Sequence, residues 1–324
     1  MNPISVGVWT YGMGTDRYVG DGYKPKMELK DRIEHIGNQN GVSSIEITYP
    51  GDINEYNYEE YKPLLEKYNL SICAMGVELV CDKQWATGSF SSPVKEVRDK
   101  SVSLVKKAMD FAASIGTKTV CLWLGQDGFD YFFQTDYIQA WNNLIEGLQE
   151  CADHNPDINL GIEYKVSEPR LKCMASSGGK TLAICQCTGR KNVGVCMDIG
   201  HSLNAGENPA ETASMLISQN RLFHLHFNDN YLIADDDMPV GSVHYLHFME
   251  LFYWLKRLDY SGYYSLDMYP YRDNPDTAVE ASVKFMQGMD KFIETKMKDI
   301  SFSTEFDRNP SRILSSLFTK MFDL

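Results

Sequence analysis

Apolar residues recur along the chain in short runs, separated by longer segments in which they follow helical spacing. Eight of these runs are predicted to be strands: 4–12, 43–51, 70–79, 118–125, 159–165, 193–201, 221–229 and 262–270. Several runs are almost continuously apolar, as expected for parallel strands that are covered on both faces. The segments between them, for example 94–116 and 209–220, have the apolar spacing of amphipathic helices.

This alternation predicts an α/β fold, a (β/α)8 TIM barrel over residues 1–295 that carries the catalytic site. Eight strand-plus-helix units in about 290 residues match the usual size of such a barrel. A doubly wound open sheet is the alternative, but no glycine-rich phosphate loop follows the first predicted strand.

Residues 296–324 follow the eighth unit and form a predicted C-terminal helical extension, because SRILSSLFTKMF has the apolar spacing of an amphipathic helix. Two interpretations remain open for it. The extension packs back on the barrel, or it presents a surface for a partner or for a second copy of the chain.

Composition narrows the classes of partner. The 324 residues are 43% hydrophobic and carry a net charge of −13, so a large core is available and polyanions are repelled. We therefore expect neither nucleic acid nor a membrane surface as a partner. The chain shows no export signal, and Cys73, Cys121 and Cys196 lie in apolar runs as buried reduced thiols do, so a cytoplasmic location is expected.

Polar residues stand at the carboxyl ends of four consecutive strands, where barrels of this kind build their sites. They are Glu163, Asp198, His226 and Asp267. Three converging carboxylates repel one another unless a cation lies between them. The sequence therefore predicts a divalent metal site, with Mn²⁺ or Mg²⁺ favoured and Co²⁺ or Zn²⁺ as alternatives. His201 is a ligand of a second ion, a group that orients the first site, or a substrate contact.

Further polar and aromatic residues near the strand ends are expected to bind substrate. Segment 123–137 combines aromatic rings with amide and acid groups, as sugar recognition requires, although an ordinary aromatic lid is the alternative. The acidic run 235–237 is either a solvated loop or a site that binds a cation or moves protons. The predicted substrate-binding residues are Trp9, Glu46, Trp123, Gln126, Asp237 and Arg272.

The motifs MDIGHSLNAGENPAE, HLHFND and GIEYK, with an acid on the eighth strand, resemble the xylose isomerase-like TIM-barrel superfamily over about residues 4–295. The resemblance implies that Glu163, Asp198, His226 and Asp267 bind one catalytic divalent ion. EYKVSEPR and the run ADDD are similar to the rhamnose isomerase branch, which implies that Lys165 touches substrate and that His201 and loop acids hold a second metal. Segment 123–137 looks more like the catalytic α subunits of bacterial C-glycoside deglycosidases, which work with a small β subunit.

We therefore expect a metal-dependent carbohydrate enzyme that removes a proton next to a sugar carbonyl. The preferred function is a manganese-dependent C-glycoside deglycosidase α subunit, a lyase that cleaves a 3-oxo-C-glycoside by elimination. A sugar isomerase or ketose 3-epimerase is the alternative, and a non-catalytic sugar-binding protein is a third. The superfamily's abasic-site endonucleases fit least, because the chain is acidic.

Roles within this chemistry follow from the same residues. Glu163 and Asp267 are the predicted bases, Lys165 is expected to hold a substrate oxygen, and His201 or His244 is the general acid. A sugar or glycoside is the expected substrate. An oligomeric assembly and a small β subunit are the expected protein partners.

Overall fold

Eight parallel strands close into a barrel in this computed structural model, which describes residues 1–297 and 309–322. Numbered along the chain, the strands of the described part are β1 Ile4–Gly7, β2 Val42–Tyr49, β3 Ser71–Val77, β4 Thr119–Trp123, β5 Gly128–Phe129, β6 Asn159–Glu163, β7 Ser167–Glu168, β8 Leu171–Cys173, β9 Val193–Asp198, β10 Leu222–Phe227 and β11 Tyr264–Leu266. The barrel order is β1-β11-β10-β9-β6-β4-β3-β2, so the predicted TIM barrel is confirmed.

The strands end earlier than predicted at the carboxyl side of the barrel. The first strand stops at Gly7, and a short 3-10 helix, Val8–Tyr11, continues the chain. Likewise β11 stops at Leu266, so Asp267 lies one residue beyond the sheet. Chain segments leave the sheet here because they must turn over the barrel mouth. The apolar run continues past that turn, so the pattern predicts strands that are too long.

Helices surround the barrel and pack their apolar faces on its strands. Their bounds are α1 Leu29–Gly37, α2 Tyr58–Tyr68, α3 Lys95–Ile115, α4 Tyr137–His154, α5 Gly178–Thr188, α6 Ile199–Asn204, α7 Pro209–Ser218, α8 Tyr245–Arg257, α9 Pro275–Lys296 and α10 Pro310–Phe322. Asn208 and Asn274 cap α7 and α9 with their side chains, each just before a proline, which is a favoured way to begin a helix. None of these helices combines the length and the apolar character needed to cross a membrane.

A small antiparallel sheet lies in the loops that follow β4 and β6. Strand β8 pairs with β5 on one side and with β7 on the other. Gly128 permits this pairing, because a Cβ at that position would lie 2.2 Å from the Lys172 carbonyl oxygen. Strands of two or three residues leave no readable period in the sequence, so this sheet was not predicted.

The C-terminal helix α10 confirms the amphipathic helix predicted in the extension. Leu317 and Met321 pack against the main hydrophobic core, and the Lys320 ammonium donates to the Lys296 carbonyl oxygen at 2.6 Å. The helix therefore packs back on the barrel. Its other large apolar side chains are exposed, namely Ile313, Leu314, Phe318 and Phe322. A partner role for them stays a prediction, and residues 298–308 of the extension lie outside the described residues.

Aromatic packing beneath α8 generates a first prediction. Phe227 on β10 is fully buried, and its ring centroid lies 4.9 Å from that of Tyr264 and 5.6 Å from that of Phe252. Phe227→Ala should lower the free energy of unfolding by about 3–5 kcal/mol, because it leaves a cavity. The matched control Phe132→Ala, at a side chain that is 83% exposed, should change it by less than about 0.5 kcal/mol. Equal urea midpoints for the two variants would contradict this packing.

Candidate active site

A cavity of about 920 Å³ opens at the carboxyl ends of the barrel strands. This volume lies in the range of small-molecule sites, and the position is where barrel enzymes carry their chemistry. Aromatic side chains form part of its wall, and acidic and basic groups form its floor. The aromatic lining residues are Trp9, Trp85, Trp123, Tyr269 and Tyr271.

The four predicted metal ligands meet at the floor of this cavity. Glu163, Asp198, His226 and Asp267 each offer one donor atom, and these atoms all lie within 4.8 Å of one another. The Nδ1 atom of His226 is 3.1 Å from Asp267 Oδ2 and 3.5 Å from Glu163 Oε1. Neighbouring strands supply them, since His226 on β10 lies in register beside Asp198 on β9.

The orientation of His226 fits a bound cation. Its Nε2 atom lies 3.1 Å from both carboxylate oxygens of Glu46, so this nitrogen carries the proton and donates it. Nδ1 faces carboxylate oxygens, and this buried atom has no hydrogen-bond partner. Burial alone would lower the pKa of His226, but Cys196, Glu46, Glu163 and Asp267 raise it well above its usual range, so positive charge is favoured here, as a proton or as a bound cation. Three carboxylates and one imidazole suit Mn²⁺ or Mg²⁺, with Zn²⁺ and Co²⁺ as other fits.

The neighbouring negative charges also raise the pKa of Asp198. Burial and the neighbouring carboxylates of Asp267, Asp235 and Glu163, opposed by His201, raise the pKa of Asp198 to about 7. A divalent ion among these groups would favour their ionised forms and so remove this penalty. The protein thus holds acids together at a cost that a cation would relieve.

A close contact between two sequence motifs holds Asp198 in place. Its Oδ1 accepts from the His201 backbone N–H at 2.8 Å, and its Oδ2 accepts from the Asn228 amide at 2.6 Å. Asn228 approaches so closely because residue 200 is glycine, where a Cβ would lie 2.0 Å from Asn228 Oδ1. The DIGH and HFND segments therefore each contribute one hydrogen bond that holds the Asp198 carboxylate.

His201 and Lys165 form a second polar group beside the metal donors. His201 Nε2 lies 3.0 Å from Asp235 Oδ2, and Lys165 Nζ lies 2.8 Å from the same oxygen while also pairing with Glu168. Lys165 Nζ is also 5.1 Å from the ring centroid of Trp123. Burial alone would lower the pKa of His201, but Asp198, Asp235 and Glu163 raise it to about 10.

Glu46 has a different position from the one expected of a substrate contact. It is fully buried, and its carboxylate accepts from His224 Nε2 at 2.9 Å and from Ser265 Oγ at 2.8 Å as well as from His226. Its oxygens are occupied by these partners, so Glu46 supports the metal-facing histidine. Trp9 supports the site similarly, since its Nε1 donates to Asp267 Oδ1 at 2.6 Å.

Four predicted site residues are not part of the cavity lining: Asp198, which is fully buried, and Gln126, His244 and Arg272. His244 lies at the start of α8, where its Nδ1 is 2.7 Å from Asp229 Oδ1, so the structure does not support it as the general acid. Arg272 is exposed and lies over the ring of Tyr23, with its guanidinium carbon 4.6 Å from the centroid. Alternation along a strand does not determine the direction of side chains in the loop beyond it.

The aromatic cluster of segment 123–137 also lies outside the cavity. Tyr131, Phe132 and Phe133 are 67%, 83% and 101% exposed, and within this segment only Trp123 lines the cavity. Trp123 and Asp237 line the cavity, and their role in substrate binding stays a prediction. Sequence analysis missed Trp85 and Glu168, which line the cavity from a short 3-10 helix, Lys83–Trp85, and from the two-residue strand β7. The spacing of Glu168 three residues after Lys165 is a signal that could have revealed their ion pair.

The Glu46–His226 contact generates the second prediction. Glu46→Gln should weaken Mn²⁺ binding by about 10- to 100-fold, because the carboxylate that orients the ligand is lost while the side-chain size is kept. Isothermal titration of the purified protein measures this. Glu78→Gln is the control, since Glu78 lines the same cavity but is not among the clustered donors. Equal losses in both variants would assign the effect to general charge.

The Gly200–Asn228 contact generates the third prediction. Gly200→Ala should displace the Asn228 amide from Asp198 and weaken Mn²⁺ binding by about tenfold or more, as for other lost supports of a metal ligand. Gly206→Ala is a control for helix-end glycine replacement, because a Cβ there meets no atom within 4 Å, although its positive φ of 72° predicts a small loss of stability. Unchanged Mn²⁺ affinity in a folded Gly200→Ala protein would refute the role given to Asn228.

Known proteins with a similar sequence or a similar fold were found. Xylose isomerase from Thermus thermophilus is 23% identical over 274 residues, which cover 80% of this chain and 70% of that protein. The crystal structure of a D-tagatose 3-epimerase-like protein is similar with a TM-score of 0.71 at 21% identity, covering 91% of this chain and 99% of that one. An L-ribulose 3-epimerase structure gives 0.72 at 14% identity, covering 94% and 100%. The sequence profile of the xylose isomerase-like TIM barrel matches residues 36–289, and the chain therefore belongs to that family.

Proposed function

We propose that this protein is a divalent-metal-dependent sugar isomerase or epimerase, with ketose 3-epimerisation as the preferred reaction. The observation that carries the proposal is the convergence of Glu163, Asp198, His226 and Asp267 below the cavity of about 920 Å³, with the unpartnered His226 Nδ1 directed at carboxylates. The similarity to a xylose isomerase and to two 3-epimerase-type structures supports the same class of reaction.

The two carboxylates beside His226 suit proton transfer on both faces of a carbon. Glu163 Oε1 and Asp267 Oδ2 are 3.5 and 3.1 Å from His226 Nδ1. Glu163 ends β6 and Asp267 follows β11, and these strands lie on different sides of β10. One carboxylate can remove the proton from a carbon next to the carbonyl, and the other can return a proton to the opposite face. A bound Mn²⁺ or Mg²⁺ would polarise the sugar carbonyl and stabilise the negative charge that develops.

Other lining residues are assigned to binding. Lys165 is held by Asp235 and Glu168 at the cavity wall, where its ammonium suits a sugar hydroxyl oxygen. His201 is the remaining general-acid candidate, since it lines the cavity and His244 does not. The indole and phenol rings of the wall fit the apolar faces of a sugar.

The C-glycoside deglycosidase expected from segment 123–137 has less support. The aromatic residues 131–133 that favoured it are exposed and lie outside the cavity, and the relatives described above are isomerase- and epimerase-type proteins. A non-catalytic sugar-binding protein would not need three carboxylates around an unpartnered imidazole nitrogen.

Proton exchange in D₂O tests the proposal. The Mn²⁺-loaded protein, incubated with a panel of ketohexoses and ketopentoses, should form 3-epimers and place deuterium at C3, as read by NMR. Chelation should lower the rate by roughly 10²- to 10³-fold, because several kcal/mol of stabilisation are lost and 1.36 kcal/mol is tenfold. Deuterium at C1 or C2 with an aldose product would instead assign an aldose–ketose isomerase.

Single-base variants make the test specific. Glu163→Gln and Asp267→Asn, assayed at saturating Mn²⁺, should each lose at least about 100-fold in epimerisation, while the cavity variant Glu78→Gln should stay within about threefold of wild type. Absence of exchange with every sugar, together with aglycone release from a 3-oxo-C-glucoside, would replace the proposal with the deglycosidase. Full activity in either base variant with metal bound would refute the site.

A further inference from the structure

A buried thiol lies directly below the four metal donors. Cys196 and Asp198 are two residues apart on β9, so their side chains share a face of the strand. The Cys196 sulfur lies within 4.8 Å of one donor atom of Glu163 and one of His226, and all three side chains are buried. A sulfur, a carboxylate oxygen and an imidazole nitrogen therefore border the same small volume.

The strand register holds this second donor set in place. Glu163 is paired in register with Cys196 across β6 and β9, and Cys196 is paired with His224 across β9 and β10. The sulfur therefore lies one layer deeper in the barrel than Asp198. Glu163 and His226 belong to both donor sets, so one ion at a time can use them.

The two donor sets differ in chemical softness. The upper set has three carboxylates and one imidazole, which suits Mn²⁺ and Mg²⁺. The lower set replaces Asp198 and Asp267 with a thiolate, and thiolate ligands favour Zn²⁺ and other thiophilic cations. An ion drawn toward Cys196 would move away from two of the upper carboxylates.

We propose that Cys196, Glu163 and His226 form an alternative cation position that captures thiophilic divalent ions such as Cd²⁺ and Zn²⁺ in competition with Mn²⁺. This inference rests on the metal centre of the proposed function but not on its sugar reaction. Binding displaces the Cys196 thiol proton to solvent, with no change of oxidation state. A cation held there is withdrawn from Asp198 and Asp267, so it inhibits the enzyme.

A second cysteine offers a competing set that the geometry disfavours. Cys121 lies within 4.8 Å of donor atoms of Glu46, His224 and His226. An ion there would have to break the Glu46 hydrogen bonds to His224 at 2.9 Å and to His226 at 3.1 Å. The Cys196 set includes neither Glu46 nor His224, so an ion there leaves the Glu46–His224 hydrogen bond intact.

Cadmium binding to the full chain tests the proposal. The exposed thiols Cys81 and Cys187 are first replaced by serine, so that only buried cysteines remain. Titration of this background protein with Cd²⁺ should produce the ultraviolet absorption of a sulfur-to-cadmium charge transfer. Cys196→Ala in this background should abolish the absorption and lower Cd²⁺ affinity at least about tenfold, while Mn²⁺ affinity stays within about threefold.

Matched variants locate the sulfur. Cys121→Ala and Cys151→Ala, the latter in the buried face of α4, should both keep the absorption. Cys196→Ser keeps a similar volume and should behave as Cys196→Ala does. Absorption that survives in folded Cys196 variants, or that is lost only in Cys121→Ala, would overturn the inference.

A measurement without any change at residue 196 covers the case in which its variants do not fold. X-ray absorption at the cadmium edge of the background protein should detect a sulfur neighbour, and a shell of only oxygen and nitrogen would overturn the inference. These readouts need no sugar, so they are separate from the proposed reaction. If no ketose is epimerised but the cadmium signal depends on Cys196, the alternative position stands and the reaction assignment fails.

Discussion

The mutual repulsion of three carboxylates around one imidazole is the constraint on which the site depends. Glu163, Asp198 and Asp267 are gathered within 4.8 Å of His226 in a barrel interior where charge is poorly solvated. The barrel makes this arrangement possible because the stability of its packed strands and helices outweighs the strain of a few unfavourable polar contacts. A divalent ion would be attracted to all of these groups and would offset their mutual repulsion. The apolar fold therefore holds the carboxylates in the positions that metal binding requires.

Support for the donors comes from buried residues that hydrogen-bond to them. Glu46 determines which nitrogen of His226 carries the proton, and Asn228, admitted by the missing side chain of Gly200, holds one oxygen of Asp198. These contacts join separate strands, so a small displacement in one motif reaches the donors through another. The Cys196 thiol lies below the carboxylates in the same barrel interior. Which metal ion binds then depends on the competition between the oxygen donors above and the sulfur donor below.

The repeating strand and helix pattern was sufficient to predict the barrel and the convergence of Glu163, Asp198, His226 and Asp267, while metal binding by them stays a prediction. The reason is physical: parallel strands end at one rim, and alternation decides which side chains point inward there. The pattern does not determine how deep a side chain lies in the barrel, or in which direction the loops beyond the strands turn. Glu46 was therefore predicted to bind substrate, whereas its carboxylate accepts a hydrogen bond from His226. His244 and Arg272, which lie beyond strand ends, turn away from the cavity, and the aromatic residues 131–133 face solvent.

Anomalous X-ray diffraction at the manganese edge, from crystals of the protein grown with Mn²⁺, tests the central claim most directly. The account predicts one strong peak at the cavity floor, coordinated by Glu163, Asp198, Asp267 and the Nδ1 atom of His226, with Glu46 still accepting from Nε2. A floor without a manganese peak, in which these carboxylates instead pair with Lys165 or with protonated histidines, would contradict it.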